Sequence, residues 1–380
     1  MKRILVVGAG FAGAVHAREL ADAGFEVDVI DQRGHIGGNA YDEVCRTGQR
    51  VHRYGPHLFH TNNEAVVQWI ERFAAFVPYQ HRVQALLPDG GRVPLPVNRA
   101  TINTVFGVHL ADAAAVRDFL ARIAEPHQAQ TNAAEHLNAT IGRVLTDLFF
   151  RPYTRKMWAL ELEDMDASVV QRIPIRFDDE DRYFPDDRFQ MLPRDGYAHL
   201  FETILDHPRI AVTLRQTFDA TLLAGYAHCF NSMPIDEFYA SRFGPLPYRS
   251  IRFEHLCRPV PSQPPSAATL NFTDDGPVTR ETDWSALSGQ PRPIEAMTTV
   301  TRETPCDYLA NDRERYYPVK TSDGRFQAVY ARYKALADAT EGISFIGRCG
   351  TYQYLDMHQV INQSLAQVRA WRRDHNNPSS

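Results

Sequence analysis

The stretch Ile4-Leu5-Val6-Val7-Gly8-Ala9-Gly10-Phe11-Ala12-Gly13 decides how the chain begins to fold. A short β-branched run reads as a fully buried strand, and it feeds straight into a G-x-G-x-x-G turn. The first glycine permits the tight turn, the second lets backbone approach a pyrophosphate, and the third lets the next helix pack on the strand. Ala14, Ala17, Leu20 and Ala21 recur at helical spacing and Gly24 supplies a stop, so the helix N-terminus faces the anion. A second strand, Glu26 to Ile30, ends at Asp31, where a carboxylate can accept the ribose hydroxyls of an adenosine. Strand, turn, helix and acid in this order predict a dinucleotide-binding unit rather than a structural glycine turn.

Just beyond Asp31, Gly34-His35-Ile36-Gly37-Gly38-Asn39 carries a second glycine pair. It resembles the extension of FAD-binding flavoproteins of the glutathione-reductase type, which nicotinamide dehydrogenases usually lack. The start of the chain, Met1-Lys2-Arg3 and an apolar run, imitates a secretory signal, but the glycine spacing argues against that reading.

The chain has 380 residues, 44% hydrophobic and 23% charged, enough for two or three domains and enough apolar surface to offset ordering entropy. Lys plus Arg at 41 against Asp plus Glu at 46 gives a formal charge of -5, so no nucleic-acid or acidic-lipid partner is expected. Cys45, Cys229, Cys257, Cys306 and Cys349 are scattered without a C-x-x-C pair, which suggests neither a disulfide framework nor a zinc cage. A reducing cytoplasmic setting is expected, and no apolar run of about 18 residues predicts a membrane span.

Thr61-x-x-Glu64 has capping-box spacing ahead of Val66, Ile70, Phe73 and Ala74, predicting a helix over about 63–76. Val116, Phe119, Leu120 and Ile123 predict another, and Leu137, Ile141, Val144, Leu145 and Leu148 a longer one running into Phe149-Phe150. From about 165 onward, Arg249 to Glu254, Ala268 to Phe272 and Thr298 to Arg302 alternate as strands of an antiparallel sheet, with the proline-rich stretch from Arg258 to Pro265 read as a surface loop. A last helix is predicted near Met357 to Trp371.

Chemistry concentrates in two segments. Tyr54-Gly55-Pro56-His57-Leu58-Phe59-His60-Thr61 sets two imidazoles three apart; without a third ligand nearby they read as lining a cleft or satisfied in a core, not as metal ligands. Phe149-Phe150-Arg151-Pro152-Tyr153-Thr154-Arg155-Lys156-Met157-Trp158 interleaves aromatics with cations. It can stack a base and hold phosphate, or be an apolar helix end with a solvated basic rim.

With these segments, Ile173-Pro174-Ile175-Arg176, Leu192-Pro193-Arg194-Asp195-Gly196-Tyr197, Asn271-Phe272-Thr273-Asp274, Thr279-Arg280, Tyr316-Tyr317-Pro318-Val319 and Gly347-Arg348-Cys349-Gly350-Thr351-Tyr352-Gln353-Tyr354-Leu355-Asp356-Met357, the chain resembles the bacterial type of UDP-galactopyranose mutase over nearly its whole length. The resemblance implies an α/β fold, an FAD-binding Rossmann-like domain (1–85, 192–245 and 340–380) with a helical insertion (97–165). It adds an antiparallel-sheet substrate domain (166–191 and 246–339) with a mobile lid near 168–190. It implies interconversion of UDP-galactopyranose and UDP-galactofuranose for cell-surface glycans, N5 of the reduced flavin acting as nucleophile on the anomeric carbon with no net redox change. An external reductant such as NAD(P)H and a homo-oligomer go with it.

By motif match, Arg176 on the lid and Arg280 grip the leaving diphosphate, and His60 lies near the flavin. Phe149, Phe150, Tyr153, Thr154 and Trp158 form the uridine wall; Asn271, Tyr316, Tyr317 and Tyr354 contact the ligand, with the member of the adjacent tyrosine pair that faces it left open. Gly8, Gly10, Phe11, Ala12, Gly13, Asp31, Gln32, Gly38, Asn39, His57, His60, Gly347, Arg348, Tyr354, Asp356 and Met357 are implied to hold the FAD, Asp356 being equally readable as a helix N-cap. Phe189 and Phe272 stand where relatives have tyrosines, and Met157 where they have a glutamine. The competing readings are an FAD-dependent oxidoreductase of the amine-oxidase kind and a flavin-free prenyl-binding chaperone of the Rab-escort kind.

Overall fold

The computed structural model describes residues 3–126, 131–171, 174–263, 265–291 and 293–376. Ile173 of the quoted lid motif lies outside them. The opening run forms the strand Arg3–Val7, buried along Ile4 to Val7. It is the middle of a five-stranded parallel sheet ordered Ile210–Leu214, Glu26–Asp31, Arg3–Val7, His228–Asn231, Ile343–Phe345. A parallel sheet must be covered on its faces, and the helices Phe11–Asp22, Gly196–Leu205 and Met357–Asn376 pack their apolar stripes on it. Its strands come from the beginning, middle and end of the chain, so the nucleotide unit is assembled from three separated stretches.

The second sheet has seven strands, ordered Tyr317–Pro318, Tyr248–Pro259, Met297–Asp307, Arg280–Asp283, Thr269–Phe272, Val83–Leu86, Arg92–Leu95. Two details correct the sequence reading. Thr269–Phe272 pairs parallel with Val83–Leu86, so the sheet is mixed, and a domain boundary at 85 falls inside a strand that belongs here. The segment from 168 onward does not enter this sheet: Phe189–Pro193 pairs instead with Phe59–Thr61 and Phe76–Pro78.

The capping-box reading is also corrected. Thr61 ends a strand and its Oγ1 accepts the Asn63 N–H, while Asn63 caps the helix Glu64–Ile70 by accepting from Ala65 and Val66. Asp195 does not cap Gly196–Leu205; the buried carboxylate of Asp42 reaches in from a distant hairpin and takes the N–H groups of Tyr197 (2.7 Å) and Ala198 (2.8 Å).

The helical insertion holds Arg99–Phe106, Ala113–Ile123 and Ala133–Leu145 around its own core. Gly142 breaks the last of these with φ +75°, where a Cβ would sit 2.5 Å from the Ile123 carbonyl oxygen. Val144, expected in the core, is exposed because of that break. The chain then widens into a π-turn, Thr146–Phe150, before the helix Arg151–Trp158, a geometry that commonly marks a functional segment.

Candidate functional site

The site begins at the glycine turn. Gly13 has no room for a side chain: a Cβ there would lie 1.8 Å from the Gly8 carbonyl oxygen. The second glycine pair folds back on the first, Gly37 N–H donating to the Ala9 carbonyl at 2.9 Å and a Cβ on Gly38 falling 3.0 Å from the Gly10 Cα. The helix Phe11–Asp22 starts here with no side-chain cap and no acid in its first turn, so its free N–H groups suit an anion. Asp31 braces the turn, its two carboxylate oxygens accepting from Ala9 and Arg33 N–H, each at 2.8 Å. A backbone cradle that any Cβ would fill, with an uncapped helix end, fits a dinucleotide pyrophosphate.

Phe11 and Ala12 turn their side chains into the core, Phe11 against Phe201 with ring centroids 4.6 Å apart, so only their backbone can serve a ligand. Gly347, at φ +68°, brings the carboxy-terminal segment against the same turn, within 2.9 Å of the Ala12 Cβ for a built Cβ. Gln32 lies on the rim of a cavity of about 420 Å³ shared with Glu237, Ser241, Arg313 and Arg315. Asn39 accepts from Arg33 at 2.9 Å, and Arg33 also pairs with Glu314 and covers the Tyr54 ring, a strap between the two sheets that sequence reasoning missed.

At the other end, three adjacent strands align Asn271, Arg280 and Glu303 side by side. Arg280 donates to the Tyr153 hydroxyl (2.9 Å) and sits 3.3 Å from the Glu303 carboxylate, which is 2% exposed. Burial opposes charge on both partners; Glu303 and the surrounding phenols nonetheless hold Arg280 protonated, while burial raises the Glu303 carboxyl against the pull of Arg280. Asn271 Oδ1, Glu303 Oε1 and Arg348 Nε are buried without a hydrogen-bond partner among the described residues, and Arg280 Nε has only the Glu303 carboxylate, in poor hydrogen-bond geometry. Unpartnered buried polar atoms are costly, and several together mark a place built for a polar ligand.

The adjacent tyrosines face different ways. Tyr317 stacks on Tyr354 at 5.2 Å, meets Trp158 edge-on at 5.9 Å, and has the Arg348 guanidinium 5.4 Å from its ring centre, in the electrostatic reach of Arg280. Tyr316 faces the other way, toward Tyr54 and Phe253, and lends its carbonyl to Arg348. Burial holds both phenols well above their ordinary value, so they remain hydroxyl donors. Phe149, Phe150 and Thr154 are almost wholly buried, the two phenylalanines in the helical core, leaving Tyr153 and Trp158 as the groups turned toward Arg280 and Tyr317.

The histidines divide by environment. His57 is enclosed, its N–H backbone donating to His52, and burial lowers its pKa to about 4. His60 stacks on Phe184 at 3.6 Å and pairs with Asp187 at 2.6 Å, both from the lid flank. Its ring also meets His358, and His60, Asp356 and His358 place ligand-type atoms within 4.8 Å of one another. Asp356 donates its own N–H to Gln359, and Met357 opens the last helix. His81, which periodicity alone gives no reason to single out, lies buried between Arg280 and His60, with Tyr79 on its Nδ1; burial first, then those two neighbours, lower its pKa to about 3.

Two expected site residues make their contacts with other groups. Arg176 does not join the Arg280 cluster: its guanidinium donates to the carbonyls of Glu180, Arg182 and Tyr183, inside the lid's own turn. Phe189 supports the Arg188 guanidinium and packs on the parallel-sheet core. Three lid acids are paired on the surface: Asp179 with Arg99, Asp181 with Arg82, Glu180 with Arg182. The lid is laid on the body, with Arg176 N–H on Val97 and Tyr183 N–H on His81.

A family model described as UDP-galactopyranose mutase matches residues 148–354, more than half of the chain, and a model of NAD(P)-binding Rossmann-like domains matches 6–73. The chain belongs to the UDP-galactopyranose mutase family. It is therefore an enzyme of the isomerase class on an α/β fold with a Rossmann-like domain. A probable UDP-galactopyranose mutase of Klebsiella pneumoniae is 37% identical over 371 residues, covering 96% of this chain and 93% of that protein. A dTDP-fucopyranose mutase of Escherichia coli is 34% identical, covering 96% and 97%. The crystal structure of a reduced UDP-galactopyranose mutase superposes with a TM-score of 0.74 at 17% identity, covering 100% of this chain and 97% of that one. The family match spans the Tyr153, Arg280, Tyr317 and Arg348 cluster.

Proposed function

We propose that the protein interconverts UDP-galactopyranose and UDP-galactofuranose with a bound FAD that must be reduced. The observation that carries this reading is the row Asn271, Arg280, Glu303, closed by Tyr153, Tyr317 and Arg348, with its unpartnered buried atoms. Reduced FAD supplies an electron-rich nitrogen able to attack an anomeric carbon. The chain's own part is placement and charge.

The glycine turn and the uncapped helix behind it would hold the pyrophosphate, and Gly347 sets the carboxy-terminal segment, with Arg348, against the same turn, where it would contact the cofactor. Arg280, fixed by Glu303 and Tyr153, offers its guanidinium to a departing diphosphate, and the Tyr317 hydroxyl donates to the same oxygens. Both are preorganised donors, which favour developing negative charge without having to reorient. Trp158 and Tyr354, packed edge-on and face-on against Tyr317, add aromatic surface beside the sugar and nucleotide. His81, held neutral, is available as a hydrogen-bonding group and not as a second cation.

A second nucleotide sugar is favoured by one specific observation, the 34% identity to a dTDP-fucopyranose mutase. The test is an anaerobic assay of dithionite-reduced holoenzyme with UDP-galactofuranose and, separately, dTDP-fucofuranose, products resolved by ion-exchange chromatography. UDP-galactopyranose formation without any electron acceptor supports the proposal. Preference for the thymidine substrate moves the assignment to that sugar, and turnover that requires an acceptor makes the protein an oxidoreductase.

A further inference from the structure

Away from the site, the tip of the hairpin formed by Asp42–Val44 and Arg50–His52 rests on the long strands of the seven-stranded sheet. Gln49 fixes it there, its Oε1 accepting the Thr299 N–H at 2.7 Å and its amide donating to Thr298 at 3.1 Å. Cys45 at the tip has its Sγ 3.1 Å from the Thr299 hydroxyl and 2.9 Å from that of Thr47. Cys257 stands directly opposite Thr299 in the antiparallel ladder. Opposed residues project to the same face with Cβ atoms roughly 4.5–5.5 Å apart, so Cys257 stands beside the threonine whose hydroxyl Cys45 touches. Arg46, next to Cys45, donates its Nε–H to the Cys257 Sγ at 3.1 Å, which ties the two sides together.

We propose that Cys45 and Cys257 form an oxidisable dithiol whose disulfide staples the hairpin of the nucleotide unit to the second sheet. The other cysteines are poorer candidates on physical grounds. Cys229 lies inside the parallel sheet, where burial pushes its thiol up to about 12, and burial also raises Cys349. Cys45 is half-buried; burial raises its thiol, but the hydroxyls of Thr299 and Thr47 outweigh that and leave it below its ordinary value.

The chemistry balances with a two-electron oxidant of the diazenedicarboxamide class. One thiolate adds to the N=N bond, the other sulfur attacks the sulfenylated sulfur, and the hydrazine leaves carrying two protons and two electrons. The staple would hold the hairpin from which the chain runs directly into Tyr54, His57 and His60.

The test uses purified holoenzyme treated with diamide, free thiols then blocked with N-ethylmaleimide, followed by non-reducing peptide mapping. The expected result is a Cys45–Cys257 linked peptide, two fewer alkylated thiols, reversal by dithiothreitol, and a higher melting temperature for the oxidised form. Cys45→Ser and Cys257→Ser each abolish the link; the wild-type map stands on its own if either variant folds poorly. Separate adducts on the two cysteines, a link to Cys306, or unchanged alkylation would each overturn the proposal.

Discussion

Replacing Arg176 by alanine tests how the lid is held. Its guanidinium, 8% exposed as a residue, gives its donors to the carbonyls of Glu180, Arg182 and Tyr183. A hydrogen bond from a charged donor is worth about 1.5–3 kcal/mol net, and three would sum higher, but the lid residues that accept them are partly exposed, so water recovers much of the loss. A reduction of about 2–4 kcal/mol in lid-opening free energy is therefore expected, which at about 1.4 kcal/mol per decade is roughly 30- to 700-fold faster exchange. The reporter is the Tyr183 amide, bonded to the His81 carbonyl at 2.7 Å, read by hydrogen-exchange mass spectrometry on unliganded holoenzyme. Arg176→Lys keeps the charge but cannot span three carbonyls, and falls between wild type and alanine. Unchanged exchange at Tyr183 in the alanine variant would refute the reasoning and return Arg176 to a purely ligand-gripping role.

Arg280→Ala is expected to retain FAD, by its absorbance, while losing about 2–4 kcal/mol of transition-state stabilisation, seen in kcat/KM under reducing conditions. Gly13→Ala forces a Cβ to 1.8 Å from the Gly8 oxygen and should abolish flavin retention, whereas Gly225→Ala, with nothing within 4 Å, should leave the flavin-to-protein absorbance ratio unchanged. Burial depresses His16, His57 and His228 to about 4 in the fold, below the unfolded value of 6.5. The unfolded chain thus binds more protons between those values, so stability present above pH 6.5 is lost as pH falls toward about 4; His16 alone accounts for up to about 3 kcal/mol. Urea unfolding at pH 7.0, 5.5 and 4.5 checks the direction, and a flat or rising midpoint on acidification would contradict it.

The nucleotide half was legible because its demands are local. A turn, two glycines and an acid occupy fixed spacings, and the structure adds only that Asp31 binds backbone and that the second glycine pair closes on the first. The diphosphate end was less legible because strand register creates it: Asn271, Arg280 and Glu303 come together across three strands, and no spacing marks Glu303 or His81. Arg33 was hidden for the same reason, its partner Glu314 being distant in sequence. The pairing of Asp179 and Asp181 was likewise hidden, because their cations, Arg99 and Arg82, belong to another part of the chain. Thr61 lost the cap to Asn63 because strand pairing held Thr61 extended.

The most direct measurement is a crystal structure of the reduced holoenzyme with UDP-galactopyranose bound. The account requires diphosphate oxygens within hydrogen-bond distance of both the Arg280 guanidinium and the Tyr317 hydroxyl, with the anomeric carbon in contact with the flavin ring. A diphosphate held instead by Arg313 and Arg315 on the Gln32 cavity, with Arg280 still bound only to Glu303 and Tyr153, would contradict it.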